Sequence, residues 1–311
     1  MNNDKNKKNN KVSIGLALGS GGAKGLAHFG VLKVLEKNGI KPDMITGSSM
    51  GAVIGAAYAL GMPLKELEEK AYKFFSSSHI FKVRNFHFFH ESLIRADDIR
   101  KGFYEFVGDH TFKDCKIPFM ALGLDLESGE EVRITSGKLI DAIEAASAIP
   151  GIFPPVFFNG RYLVDGGLVN PTPVDYLREK NVDIIIGIHM TNITSKQFIS
   201  AMVWDKFYKK PGKLKKQKHG MLEQAKLNMT LMVHILLRTI EIARKLNAKI
   251  AFLTAHPDVV VQPYTMDIGM LEFERIGEAI RYGEEAMERE MPKLLKMIEE
   301  RKKDKQERAS E

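Results

Sequence analysis

Met44-Ile45-Thr46-Gly47-Ser48-Ser49-Met50-Gly51-Ala52-Val53-Ile54-Gly55-Ala56-Ala57-Tyr58-Ala59-Leu60 is the stretch that decides how this chain folds. Its first three residues are apolar and β-branched enough for a strand, and the residues after Gly51 are small and helix-compatible, stopping at Gly61 with Pro63 just beyond. Strand, sharp turn and helix, with G-x-S-x-G at the turn, is the setting of a nucleophile elbow. There a serine sits on a strained turn with its hydroxyl pushed out, and the flanking glycines let strand and helix approach without a Cβ clash. Only Ser49 fits, because Ser48 has Thr46 and Met50 two residues away. The pattern alone is weakly specific, so its neighbours decide the reading.

Outward from the elbow, the order is a strand around Val12 to Leu18, a glycine turn, a helix over Leu26 to Lys37, a strand over Asp43 to Thr46, then the elbow and its helix. A β-α-β-α beginning predicts a three-layer α/β/α domain around a mostly parallel sheet. Amphipathic stretches follow at 64–75 and 96–107, then strand-like runs at 118–124 and 130–135 and a helix over 139–148. Ile149-Pro150-Gly151-Ile152-Phe153-Pro154-Pro155 is a rigid apolar loop. Strands are expected at 161–164, ending on Asp165, and at 183–189. A long helical stretch carries Leu222, Met229, Met232, Leu236, Ile240 and Ala243 on one side. After Val259-Val260-Val261, a last helix shows the stripe Phe273, Ile276, Ile280, Gly283, Met287, Leu294, Ile298.

The chain has 311 residues, 44% of them apolar, enough for one large α/β core, and no Pro/Gly/Ser-rich linker divides it. One domain is expected over 12–298 with a basic insertion near 195–220, flanked by polar, frayed tails at 1–11 and 299–311. The single cysteine, Cys115, excludes an intrachain disulfide and suits a reducing compartment. No secretory signal is visible, and the best membrane-span candidate, 227–242, carries Asn228, His234, Arg238 and Glu241. A cytoplasmic protein is expected, peripheral at most to the inner membrane surface. The net charge of +7 is modest and does not by itself separate nucleic acid from anionic lipid.

Gly19-Ser20-Gly21-Gly22-Ala23-Lys24-Gly25 follows the first strand and opens the first helix, so its backbone N–H groups can bind an anion. A dinucleotide fingerprint wants glycine where this chain has Lys24, and an acidic residue at the end of the second strand, where Thr46 leads into the elbow. A Walker A loop fails as well, lacking Gly-Lys-Ser/Thr. An oxyanion hole beside Ser49 fits better, with amides such as those of Gly21 and Gly22 facing a carbonyl oxygen. The third piece is Asp165-Gly166-Gly167, an aspartate at a strand end followed by two residues without side chains, able to contact Ser49 as general base.

These three pieces, in this order, resemble the signatures of the patatin-like phospholipase family: a glycine-rich loop ending Lys-Gly, G-x-S-x-G, and D-G-G. The segment from Ala145 to Val156 is similar to one that bacterial members carry before D-G-G. Ser20 departs from the family, standing where many members have a third glycine. The resemblance implies a Ser49–Asp165 dyad, an oxyanion hole drawn from Gly21, Gly22, Ala23, Lys24, Gly25 and Met50, motif support from Gly47, Gly51, Gly166 and Gly167, and hydrolysis of acyl esters of lipids or lysophospholipids. No cofactor, no metal and no nucleic-acid partner are implied, and oligomeric state is not readable from the chain. A lipid-binding regulator with the same fold and little turnover is the alternative from another class.

Competing and accessory readings attach to single residues. A Ser-His-Asp triad would draw on His189, His219, His234 or His256, none of which stands in a diagnostic pattern. Lys24 either orients the oxyanion loop, attracts an anionic head group or points into water, and His28 packs or caps locally. His87-Phe88-Phe89-His90-Glu91 reverses the order of a known zinc motif and lacks a further ligand. Phe81, Phe86, Phe88 and Phe89 pack a satellite core or wall an acyl channel. Trp204 to Lys218 interleaves aromatics with seven lysines, as a lipid-headgroup interface or as a solvated loop, and contact with an anionic membrane would run through it.

Overall fold

The aliphatic and β-branched runs of the sequence become one eight-stranded mixed sheet. The computed structural model describes residues 11–77, 96–190 and 221–310. Its strands are β1 (Ile14–Leu18), β2 (Met44–Ser48), β3 (Phe119–Asp125), β4 (Glu131–Ile134), β5 (Val156–Phe158), β6 (Arg161–Asp165), β7 (Ile184–Ile188) and β8 (Val259–Val261). They lie in the order β5-β6-β3-β2-β1-β7-β8, with β4 paired to β3 outside that path. The five strands from β3 to β8 run parallel, as the β-α-β-α beginning predicts, while β4 and β6 each pair antiparallel with β3, and β5 pairs antiparallel with β6. β2 extends through Ser48, two residues beyond the apolar run, so the elbow serine follows the strand directly.

The helices are α1 (Ala27–Lys37), α2 (Met50–Ala59), α3 (Leu64–Ser77), α4 (Ala96–Val107), α5 (Leu139–Ala146), α6 (Asp175–Glu179), α7 (Met221–Ala255) and α8 (Ile276–Ser310). Alternation along the strands divides the core, since successive side chains point to opposite faces. Leu16 and Leu18 enter the large cluster shared with α1, α2 and α8, while Ala17 and Ile185 face a small cluster with Val174, Leu177 and Ala255.

α1 and α8 touch backbone to backbone. A Cβ on Gly30 would stand 2.0 Å from the Ile280 carbonyl oxygen, and one on Gly283 would stand 1.9 Å from that of Ala27. The stripe expected on α8 is the buried one: Ile276, Ile280, Met287 and Leu294 are all inside. Where the charged composition suggests a frayed tail, α8 runs on to Ser310, and Lys305 bonds Asp183 at 2.6 Å.

α7 departs from expectation. Met232 and Leu236, read as part of its apolar side, are exposed, and the face turned inward holds Leu237, Ile240, Glu241, Arg244 and Ala248. Among the described residues, no helix is long and apolar enough to cross a membrane. The phenylalanines at 81–89, the His87–Glu91 segment and the Trp204–Lys218 stretch lie outside the described residues, as do the side chains of Leu222 and Met229.

Candidate active site

Ser49 has φ 55° and ψ −126°, backbone angles that non-glycine residues avoid. Such a conformation costs on the order of 1–3 kcal/mol and persists only where the surroundings enforce it. Here they do. The Ser49 amide donates to the Ala146 carbonyl at 3.0 Å, and the Ser49 carbonyl accepts from the amides of Ala52 and Val53 and from the Ser147 hydroxyl. No side chain fits at the flanking positions: a Cβ on Gly51 would lie 2.1 Å from the Leu18 carbonyl oxygen, and one on Gly47 would lie 2.6 Å from the Ala52 Cα.

Sheet register brings Asp165 to the same level. Ser48 pairs with Leu122, and the next residue of β3, Gly123, pairs with Asp165. Ser49 and the end of β6 are therefore separated by one residue without a side chain. The Asp165 amide donates to the Ala148 carbonyl at 3.0 Å, so the segment after α5 holds both members: Ala146 takes the amide of Ser49 and Ala148 that of Asp165. This is the structural role of the Ala145–Val156 segment. Gly166 lies against the Leu122 carbonyl, and Gly167 lies against Ser20 while donating its amide to Asp165 Oδ1 at 2.8 Å.

Burial pushes the Asp165 carboxyl above the ordinary aspartate value, outweighing the Arg244 charge, the nearby Ser49 hydroxyl and the Gly167 amide, all of which favour the anion. Ser49 is 3% exposed and Asp165 5%. A carboxylate raised in this way beside a serine hydroxyl is suited to accept its proton near neutral pH.

The glycine loop is pinned at both ends. Gly19 and Ser20 donate their amides to Ile188 and Pro171, and His28, fully buried, donates from Nε2 to the Gly19 carbonyl at 2.7 Å. Burial lowers the His28 pKa to about 4, so it is neutral at physiological pH and acts as a loop anchor. The Ala23 amide is spent on the Met270 carbonyl at 2.8 Å. Among the described residues, no loop carbonyl accepts from the amides of Gly21, Gly22 or Met50, the last heading α2 directly after Ser49. Gly25 packs its α-carbon against the Met50 side chain, bringing loop and elbow together.

Two groups at the site were not read from the sequence, Glu241 and Arg244 on α7. Lys24 is buried rather than in water, and its Nζ donates to Glu241 Oε1 at 2.6 Å. Arg244 is buried, donates to the Ser20 hydroxyl and, among the described residues, has no partner for its Nε. Burial disfavours its charge, while Asp165 and Glu241 support it. The signal in the sequence was a glutamate and an arginine three apart on the less apolar side of a helix, a spacing that reads first as a solvated pair.

His189 is near the site, within the field of Arg244. Its Nδ1 meets the Thr172 hydroxyl at 3.3 Å, its ring packs edge-on against Phe252, and burial, aided by Arg244, lowers its pKa to about 4. His256 is exposed just before β8, at the opposite edge of the parallel strands. His219 and the His234 side chain lie outside the described residues.

Comparison with known proteins gives the family. The model of the family described as patatin-like phospholipase matches residues 16–178, just over half of the chain. The chain belongs to the patatin-like phospholipase family. The patatin-like span contains the glycine loop, the elbow and Asp165, and it ends before α7. An uncharacterized NTE family protein of Mycobacterium tuberculosis is 36% identical over 179 residues, covering 57% of this chain and 49% of that protein. Another from the same organism is 29% identical over 275 residues, 87% of this chain and 45% of that protein. Lysophospholipase nte1 of Aspergillus fumigatus is 29% identical over 184 residues, 58% of this chain and 12% of that protein. This patatin-like chain thus spans about half the length of the mycobacterial relatives. Among solved structures, VipD from Legionella pneumophila aligns at TM-score 0.47 and 11% identity over 94% of this chain and 67% of that one.

Proposed function

We propose that the protein is a serine acyl hydrolase that cleaves carboxylic esters of lipids, of the phospholipase A or lysophospholipase type, through Ser49 and Asp165. The observation that carries this reading is a buried carboxyl, raised above its ordinary pKa, that sheet register sets beside a serine on a strained elbow. Family membership and the fungal lysophospholipase among the relatives support the substrate class.

In the first half-reaction, Ser49 Oγ attacks the ester carbonyl carbon while its proton passes to Asp165. The carbonyl oxygen becomes an anion, held by the amides of Gly21, Gly22 and Met50. Collapse breaks the bond to the alcohol, which leaves with the proton from Asp165, and the acyl group stays on Ser49. In the second half, water attacks the acyl-enzyme, Asp165 again takes a proton, and Ser49 leaves as a hydroxyl once it is returned. Lys24 acts on the loop, its charge matched by Glu241, and His28 fixes the loop's first carbonyl. With a lipid substrate, the site of action is a membrane surface.

A fluorophosphonate probe tests this reading. Labelling of the wild type and its loss in Ser49→Ala are expected. A wild type that does not react in detergent or with vesicles would leave the lipid-binding regulator as the better description.

A further inference from the structure

The reactive groups are shut in. The cavity bounded by Asp165, Ile149, Leu168, Ile240 and Arg244 measures about 10 Å³, room for roughly one water molecule and none for an acyl chain. What closes it is α7, whose inner face sets Ile240 and Arg244 into the cavity wall and fastens itself through Glu241 to Lys24 and through Arg244 to Ser20. Among the described residues, α7 is thus one of the elements that cover this cavity.

The outer face of the same helix has the opposite character. Met232, Ile235, Ile242, Leu246, Ile250 and Leu253 are 46–63% exposed, and at 3.6 residues per turn they fall on one stripe about a quarter of the circumference wide. Half of the large hydrophobic side chains that stand exposed among the described residues lie on this one helix. Arg238, Lys245 and Lys249 run along one edge of the stripe. Between 231 and 255 the acidic side chain is Glu241 alone, and it is buried. An apolar stripe edged on one side by Lys245 and Lys249, with Arg238 turned to Glu241 at 3.4 Å, is complementary to a surface of hydrocarbon and anionic head groups.

We propose that the outer face of α7 docks on an anionic lipid bilayer, and that the helix which covers the Ser49–Asp165 pocket is thereby the one that meets the substrate's membrane. The consequence for turnover rests on the hydrolase reading; the docking itself does not. Insertion of the stripe places α7 in the interface, where separation from the loop at Lys24 exposes the pocket toward the lipid rather than toward water.

The test uses the full chain with phosphatidylcholine vesicles, with and without phosphatidylglycerol. Co-sedimentation should be strong only with the anionic vesicles and weaken with salt. Lys245→Gln/Lys249→Gln should bind about thirtyfold more weakly, at roughly a fivefold loss per lysine. Leu246→Gln/Ile250→Gln should lose at least about tenfold while keeping the wild-type Tm, because both side chains already face solvent. In a Cys115→Ser background, Ile250→Cys should react with a maleimide in buffer and be protected by anionic vesicles. Ser49→Ala should bind vesicles as the wild type does, and fluorophosphonate labelling of Ser49 should accelerate when anionic vesicles are added. Unchanged binding by the Leu246/Ile250 variant overturns the docking face. So does equal binding to neutral vesicles, a cysteine at 250 that is already shielded in buffer, or a dimer that the same variant turns into monomers. Absence of labelling in every condition, with vesicle binding intact, removes the hydrolase reading and leaves the docking face standing.

Discussion

α7 and α8 have the same length, 35 residues each, and the sheet uses them in opposite ways. α8 buries the stripe that its sequence advertises and lies so close to α1 that Gly30 and Gly283 meet carbonyl oxygens where a Cβ would go. α7 turns two charged side chains inward and leaves its most apolar stripe in solvent. The first arrangement is what a helix does when packing alone sets its orientation. The second is sustained by specific partners: Lys24 for Glu241, and Ser20 with the field of Asp165 for Arg244. A helix that buries few apolar side chains and is held over the Ser49–Asp165 pocket largely by polar contacts is easier to release, by supplying its apolar face with a better environment, than one held by close backbone packing.

The contrast can be broken most severely at the α1–α8 contact. Gly283→Ala should cost about 1–3 kcal/mol or more, because the clash is with backbone that cannot step aside. Thermal unfolding should register it as a Tm several degrees lower. A wild-type Tm would mean that the two helices are not in backbone contact.

Glu241→Gln is the corresponding lesion in α7, leaving Lys24 buried without its counter-charge. A broken pair that stays buried costs about 3–5 kcal/mol. Since α7 can lift and admit water to Lys24, the global loss should be smaller than that, with the difference appearing as local opening. Hydrogen exchange should accelerate in amides of 237–248 and not in α8. Equal acceleration in both helices would erase the distinction drawn between them.

Arg244→Gln sharpens the comparison from the chemical side. The Arg244 charge favours the ionised form of Asp165, so its loss should raise the carboxyl pKa further. If Asp165 is the base, it acts only when deprotonated, and the acidic limb of the pH–rate profile, expected above that of an ordinary aspartate, should therefore move to still higher pH in the variant. A limb that stays in place would mean that Arg244 does not act on Asp165. The smallest effect belongs to the outer stripe, where Leu253→Ala should change stability by no more than about 0.5 kcal/mol in buffer. A larger loss would show that the stripe is already packed against something.

Legibility in the sequence followed the same division. Gly47, Ser49 and Gly51 between a strand and a helix, the glycine loop after β1 and Asp165 at the end of β6 could be read because each stands at a strand terminus, where local pattern fixes position. The α8 stripe could be read because its buried face is apolar. α7 could not, since periodicity assigns the apolar side to the core and here Glu241 and Arg244 are inside. Their partners, Lys24 and Ser20, lie more than two hundred residues away, and no local signal connects them. The antiparallel direction of β6 was also hidden, although it is what brings Asp165 level with the elbow. His28 passed as a packing residue because its contact with the Gly19 carbonyl depends on the path of the loop.

The most direct test of the central claim is turnover of a water-soluble short-chain ester by Asp165→Asn and His189→Gln, each checked for wild-type Tm. If Asp165 takes the Ser49 proton, Asp165→Asn should lose at least about a hundredfold in kcat/KM and His189→Gln should remain near wild type. The reverse result, an active Asp165→Asn and an inactive His189→Gln, would contradict the dyad and place the base on the histidine.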